Sequence, residues 1–206
     1  MSTNSPTTRK DIVLASGNAG KLAEFKQLLG KLGFNVIPMS EFTDESAVES
    51  GLSFVENAII KARFACQHSG LPALADDSGL EVDALRGQPG IYSARFAGIN
   101  ATDADNNKKL LNSLEGLAHD ERQARFRCVL AYMRYTQDPM PIVSSGAWEG
   151  SILQSFSGNQ GFGYDPLFFA TESQCSAAEL SKNDKNALSH RGKAIRNLMP
   201  LLQPLL

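Results

Sequence analysis

The run Ser16-Gly17-Asn18-Ala19-Gly20-Lys21 has the parts of a polyphosphate cradle. Its glycines leave backbone N–H groups bare, Lys21 supplies a mobile cation, and a helix starting there turns the positive end of its dipole toward a bound anion. It is not a P-loop, because the spacing falls short of G-x-x-x-x-G-K-[ST] and Leu22 stands where a hydroxyl would hold Mg²⁺. A strand, a glycine turn and a helix also make an ordinary connection in an α/β protein, and the motif alone leaves both readings open.

Asp76-Asp77-Ser78-Gly79 follows the apolar run 71–75, so adjacent carboxylates leave the end of a buried strand on opposite sides of it. A carboxylate there can ligate Mg²⁺ and take a proton from water, while Ser78 and Gly79 offer a hydroxyl and a backbone N–H to a phosphate. The alternative is an Asx-turn joining two strands. Glu49, with Glu45 and Asp44 in the acidic stretch 41–51, is a candidate second hard-oxygen ligand; the other reading is a solvated loop. Lys61 is a helical cation that either reaches a phosphate or stays at the surface. Phe162-Gly163-Tyr164-Asp165-Pro166 pairs aromatic rings with a carboxylate where glycines let the backbone approach a planar ring, or packs as a buried turn. Lys185, Ser189, His190 and Arg191 gather donors suited to a base edge, or to a capped helix with a polar first turn.

The elements that must hold these groups follow from periodicity. An apolar strand over 12–15 and a helix over 22–29 flank the first motif, and 34–39 reads as a second strand. Ser53 and Glu56 have capping-box spacing and open a helix reaching residue 70, with Phe54, Ala58, Ile59 and Ala62 on one face and Asn57 and Lys61 on the other. Strands are expected over 72–76 and 80–85 on either side of the Asp-Asp-Ser-Gly turn, then a turn at Gly87-Gln88-Pro89-Gly90. A capped helix over 102–114, a hairpin of 124–135 with 142–153, a short strand over 167–170 and a closing helix over 186–202 that begins near Ser189-His190-Arg191 complete the chain. This mixed order favours an α/β protein with a central mixed, elongated sheet flanked by helices, two lobes around a substrate cleft, and polar clusters at loop ends.

At 206 residues the chain suits one folding unit over 11–206, preceded by a polar, disordered tail over 1–10. A formal net charge of −2 gives no basic footprint for polymeric nucleic acid, although one triphosphate needs only a few local cations. No stretch approaches the ~18 apolar residues of a membrane span, so no membrane partner is expected. The three scattered cysteines, Cys66, Cys128 and Cys175, read as reduced thiols of a cytoplasmic protein, without a disulfide frame or a zinc site.

Taken in order, S-G-N-A-G-K, E-S-G-L-S-F-V-E-N-A, L-P-A-L-A-D-D-S-G-L, P-G-I-Y-S-A-R, Q-G-F-G-Y-D-P and S-H-R-G resemble the inosine triphosphate pyrophosphatase family, most closely its bacterial dITP/XTP pyrophosphatases, over residues 12–202. The resemblance implies a Mg²⁺-dependent homodimer that hydrolyses non-canonical purine nucleoside triphosphates (dITP, ITP, XTP, dXTP) to the monophosphate and pyrophosphate, sanitising the nucleotide pool. It implies that Ser16, Gly17, Asn18, Ala19, Gly20 and Lys21 hold the triphosphate, with Lys61 a further phosphate contact and Ser78 touching the substrate. Asp77 would be general base and metal ligand, and Glu49 the other metal ligand. Phe162, Gly163, Tyr164, Asp165, Lys185, His190 and Arg191 would form the base pocket. Two positions depart from the family's pattern: Val48 precedes Glu49 where relatives often carry a second acid, and Gln160 replaces a common glycine.

The residue types suit that reaction. Lys21 would neutralise charge, and Asp77 would deprotonate a water whose attack at the α-phosphorus expels pyrophosphate. The 6-keto group of hypoxanthine or xanthine accepts a hydrogen bond from Arg191 or His190, whereas the 6-amino group of adenine would leave two donors facing, at a cost of about 1–3 kcal/mol. Guanine shares the 6-keto group, and the sequence does not reveal what excludes it. Two other readings are a pyrophosphatase of similar fold acting on modified pyrimidine nucleotides, and a nucleotide-binding regulatory module. Asp77 and Glu49 speak against the second, since a binder needs no base.

Overall fold

Ile12, Val13 and Leu14 are all buried, as an apolar run without alternation must be when a strand is covered on both faces. The structure, a computed structural model, describes residues 10–203. The tail expected over 1–10 lies outside the described residues except for Lys10, which already opens the first strand, β1 (Lys10–Ala15). The chain continues through α1 (Ala19–Gly30), β2 (Phe34–Pro38), α2 (Phe54–Ser69), β3 (Ala73–Val82), α3 (Asp103–Ser113), β4 (Gln123–Met133), β5 (Ile142–Ile152), β6 (Phe168–Ala170), β7 (Cys175–Ser176), α4 (Lys182–Leu188) and α5 (His190–Leu202). The strands form one sheet in the order β2-β1-β3-β4-β5-β6-β7. β1 pairs parallel with β2 and β3, and every later pair is antiparallel, which is the mixed sheet expected.

Three apolar clusters cover this sheet. α1 and α5 bring Phe25, Leu29, Ile195 and Leu198 onto one face over Leu14, Leu74 and Leu130. α2 brings Ala58, Ala62, Ala65 and Cys66 onto the other face over Val13, Ala73 and Ala75. The far ends of β3–β5 meet α3 and β6 in a second lobe around Leu80, Leu110, Phe126, Trp148 and Phe168. Side-chain caps fix where the helices begin: Asn18 accepts from the Lys21 amide, Ser53 from Glu56, and Thr102 forms a full capping box with Asp105.

Two expectations are corrected, and one short strand was not foreseen. Asp76-Asp77-Ser78-Gly79 is not a turn between two strands but the middle of β3, whose pairing with β4 runs unbroken from Ala73↔Met133 to Val82↔Ala124. The strand need not end there because cations from both layers meet its carboxylates. The closing helix is two helices: Ser189, with φ −65 and ψ 161, ends α4 and caps α5, its Oγ accepting from the Gly192 amide. Asn57, on the face of α2 that also carries Lys61, is fully buried, and its Oδ1 accepts from the Gly51 amide, tying the end of the acidic loop to α2. β7 had no signal in so short an element.

Candidate active site

The alternation of β3 divides the site between the two faces of the sheet. Asp76 shares the parity of Leu74, which belongs to the α1/α5 cluster, while Asp77 shares that of Ala73 and Ala75, which belong to the α2 cluster. Asp76 therefore meets Lys21 from α1 and Arg191 from α5, and Asp77 meets Lys61 from α2.

Asp76 is the hub of the first face. Its Oδ1 accepts from Lys21 Nζ at 2.5 Å and from Ser78 Oγ at 2.9 Å, its Oδ2 from the Cys128 thiol at 3.0 Å, and Arg191 Nε lies 3.5 Å away. Burial opposes its charge, but Lys21 and Arg191 outweigh burial and hold the carboxyl well below the usual carboxylate range. The same burial and the neighbouring carboxylate push the Cys128 thiol far up, so it stays a protonated donor.

On the second face Lys61 Nζ lies 2.6 Å from Asp77 Oδ1 and 3.0 Å from Glu49 Oε1. Burial raises the Asp77 carboxyl despite Lys61, and its Oδ2 is buried with no hydrogen-bond partner. Glu49 is pushed up by burial, but Lys61 and Arg95 more than reverse this and hold it low. Glu45, by contrast, is 78 % exposed with only His68 nearby at 4.0 Å. Among the described residues no three His, Cys, Asp or Glu converge on one point. An orphaned carboxylate oxygen beside a second carboxylate fits a hard divalent ion that completes its shell with water and phosphate oxygens, the habit of Mg²⁺.

A cleft of about 490 Å³ joins the two faces, lined by Ser16, Lys21, Glu49, Lys61, Asp76 and Ala94 among others. A larger hollow over α3, about 660 Å³, is lined by the exposed Lys108 and Lys109 and has no buried charge. Beside Asp76, Lys185 Nζ and the Arg191 guanidinium stand 4.9 and 5.3 Å from the centre of the Phe162 ring, and Arg191 Nε lies 3.5 Å from Asp76 Oδ2. That ring packs on the Ser16–Lys21 loop: a Cβ on Gly20 would lie 2.8 Å from Phe162 Cδ1. Glu24 Oε1 is 3.2 Å from Lys185 and Glu24 Oε2 accepts from Arg191 at 2.9 Å. Arg191 also donates to Ser78 Oγ at 3.0 Å, which ties the pocket to β3.

The Ham1 family model matches residues 12–201. The chain belongs to the Ham1 family. The dITP/XTP pyrophosphatase of Idiomarina loihiensis is 55 % identical over 199 residues, covering 95 % of this chain and 98 % of that one. The dITP/XTP pyrophosphatase of Vibrio parahaemolyticus is 56 % identical over 193 residues, covering 94 % and 96 %. A solved structure of a HAM1 protein from Coxiella burnetii superposes with a TM-score of 0.86 at 49 % identity, covering 95 % of this chain and 99 % of that one.

Within this Ham1 fold the residues singled out from sequence divide by role. Ser16 to Lys21, Glu49, Lys61, Asp77, Ser78, Phe162, Lys185 and Arg191 converge on the cleft or on one another, through the contacts above and the loop's place in the cleft lining. Tyr164 turns inward, its hydroxyl donating to the Ser93 carbonyl at 2.8 Å. Asp165 is buried and braces the loop, accepting from Lys185 Nζ at 2.6 Å and the Phe162 amide at 2.8 Å. That bracing requires Gly161, with φ +80, since a Cβ there would sit 2.1 Å from Asp165 Oδ2. Gly163 lies in the same loop, its amide donating to Asp103. His190 stacks on Phe126 at 4.8 Å, fully enclosed; burial and the charge of Arg191 hold its imidazole neutral, well below the usual 6.5.

Asp76, Glu24, Cys128 and Arg95 had no assigned role. Glu24 carried a signal, since it follows Lys21 by one helical turn and so shares its face. Cys128 carried none, because its contact with Asp76 arises from the β3–β4 register alone.

Proposed function

We propose that this protein hydrolyses non-canonical purine nucleoside triphosphates, dITP, ITP, XTP and dXTP, between the α- and β-phosphates with Mg²⁺, releasing the monophosphate and pyrophosphate. The observation that carries the reading is the unpartnered, buried Asp77 Oδ2 beside Glu49, at the edge of a cleft that also holds the Ser16–Lys21 loop. The pyrophosphatase relatives support it.

When bound, Mg²⁺ held by Asp77 and Glu49 supplies charge neutralisation for the phosphates. The loop amides and Lys21 bind the triphosphate, and Lys61, already next to Asp77 Oδ1, keeps that carboxyl oriented. Asp77 orients the attacking water and accepts its proton, a role suited by a carboxyl whose basicity burial has raised. Phe162 lies against the base with Lys185 and Arg191 around it, and Arg191 donates to the 6-keto oxygen of hypoxanthine or xanthine. Adenine presents a donor there and is rejected. His190, neutral and rigid, shapes the wall beside Arg191. The same proposal includes a cytoplasmic homodimer acting on free nucleotides, with sanitation of the nucleotide pool as its role.

Asp77→Asn tests the assignment. Turnover of dITP should fall by about 10²–10⁴ while binding of dITP without Mg²⁺ is retained. Undiminished turnover would remove Asp77 from the chemistry.

A further inference from the structure

The P-G-I-Y-S-A-R segment closes on the cleft without any part in the reaction described so far. We infer that Arg95 is a further substrate-binding residue that engages the terminal phosphates of the triphosphate, the pair that leaves as pyrophosphate; the inference rests on the triphosphate reading above.

The position of Arg95 is built in. Ser93 Oγ accepts from the Leu80 amide at 2.9 Å and donates to the Gly90 carbonyl at 2.6 Å, docking residues 90–95 on β3 directly after Asp77 and Ser78. The approach is so close that a Cβ on Gly79 would lie 2.3 Å from the Gly90 oxygen. Tyr164 clamps the same segment through the Ser93 carbonyl. Ala94 then lines the cleft beside Ser16, Lys21 and Lys61, and the Arg95 guanidinium reaches Glu49 while packing 5.2 Å from the centre of the Tyr92 ring.

The charges of the site show what Arg95 is for. Lys21 is tied to the buried Asp76, Lys185 to the buried Asp165, Lys61 to Asp77, and Arg191 to Glu24. Arg95 has one carboxylate, Glu49, met through one nitrogen at 3.4 Å, and Glu49 is shared with Lys61. A guanidinium carries five donors in a fork that matches phosphate, so most of this one's capacity is unused among the described residues. Phe162, Lys185 and Arg191 form the group assigned to the base above, and Arg95 touches none of them; it meets Glu49, which shares Lys61 with Asp77. With Glu49 engaged as a ligand to a divalent ion, the Arg95 guanidinium would be free to donate to a phosphate anion beside it.

Calorimetric titration of the full-length wild type, Arg95→Ala and Arg95→Lys with inorganic pyrophosphate in Mg²⁺, and separately with dIMP, tests this. Arg95→Ala should weaken pyrophosphate binding by roughly tenfold to a hundredfold, the size of a charge-assisted hydrogen bond or two, with Arg95→Lys partly restoring it and dIMP affinity unchanged. Unchanged pyrophosphate affinity in Arg95→Ala would overturn the inference. So would a loss confined to Mg²⁺ affinity measured without pyrophosphate, which would make Arg95 a positioning group for Glu49. A wild type that neither hydrolyses dITP nor binds pyrophosphate would instead sink the triphosphate reading itself.

Discussion

His190 gives the structure a measurable proton linkage. Its ring is buried against Phe126, its Nδ1 has no partner, and Arg191 is its neighbour in sequence and charge. The folded protein therefore refuses a proton that the unfolded chain accepts near the usual 6.5. With a depressed folded value, the unfolded state binds the extra proton between the two values, so stability falls as pH falls, by about 1.4 kcal/mol per pH unit once below the unfolded value. On a titration from about pH 7.5 downward the loss sets in as pH falls through the unfolded value and keeps that slope until the folded value is reached. Urea denaturation of the wild type and of His190→Gln along that titration isolates the contribution, because the other titrating groups are common to the two proteins. Below the unfolded value the wild type should lose up to about 1.4 kcal/mol per pH unit more than the variant. Identical losses would mean that His190 charges normally in the fold, and the picture of a neutral imidazole beside a cationic Arg191 would be wrong.

Two further substitutions follow from the same geometry. Asp76→Asn removes the buried charge that Lys21 and Arg191 share, so urea denaturation near neutral pH should show a loss of about 3–5 kcal/mol; a loss below about 1 kcal/mol would mean that the hub is not an ionic one. In the wild type the contribution of that carboxylate, whose folded value is depressed, is present above its unfolded value of 3.8 and disappears only as pH falls through the folded one. Gly79→Ala forces residues 90–95 off β3 and should cost about 1–3 kcal/mol together with a weaker affinity for pyrophosphate, whereas wild-type stability and affinity would show that the close approach is dispensable.

Much of this was legible in the chain because the governing signals are local. The capped starts of α2 and α3 follow from Ser53 and Thr102, and the β4–β5 hairpin from its patterned strands, whereas α1 begins at Ala19 under an Asn18 cap, before the expected start at residue 22. The Asp-Asp-Ser-Gly run misled for a physical reason: these are turn-forming residues, and only the cations arriving from α1, α2 and α5 make them compatible with a buried strand. The start of the last helix near Ser189 was legible from its capping serine, while the short α4 before it was not, and the break between them lets both Lys185 and Arg191 reach the Phe162 ring. The bond that holds Asn57 was not legible because its partner, the Gly51 amide, lies in an irregular loop. Arg95 was visible as part of a motif, but its contact with Glu49 depends on a loop crossing from the second lobe, which no local pattern encodes.

The central claim is cleavage of the α–β phosphoanhydride of purines bearing a 6-keto group. Incubation with dITP, XTP, dGTP or dATP and Mg²⁺, with nucleotide products resolved by chromatography and pyrophosphate measured in parallel, tests it most directly. The account predicts dIMP and XMP with stoichiometric pyrophosphate, and little dGMP or dAMP. Diphosphate nucleotides with orthophosphate, or turnover of dATP as fast as dITP, would contradict it.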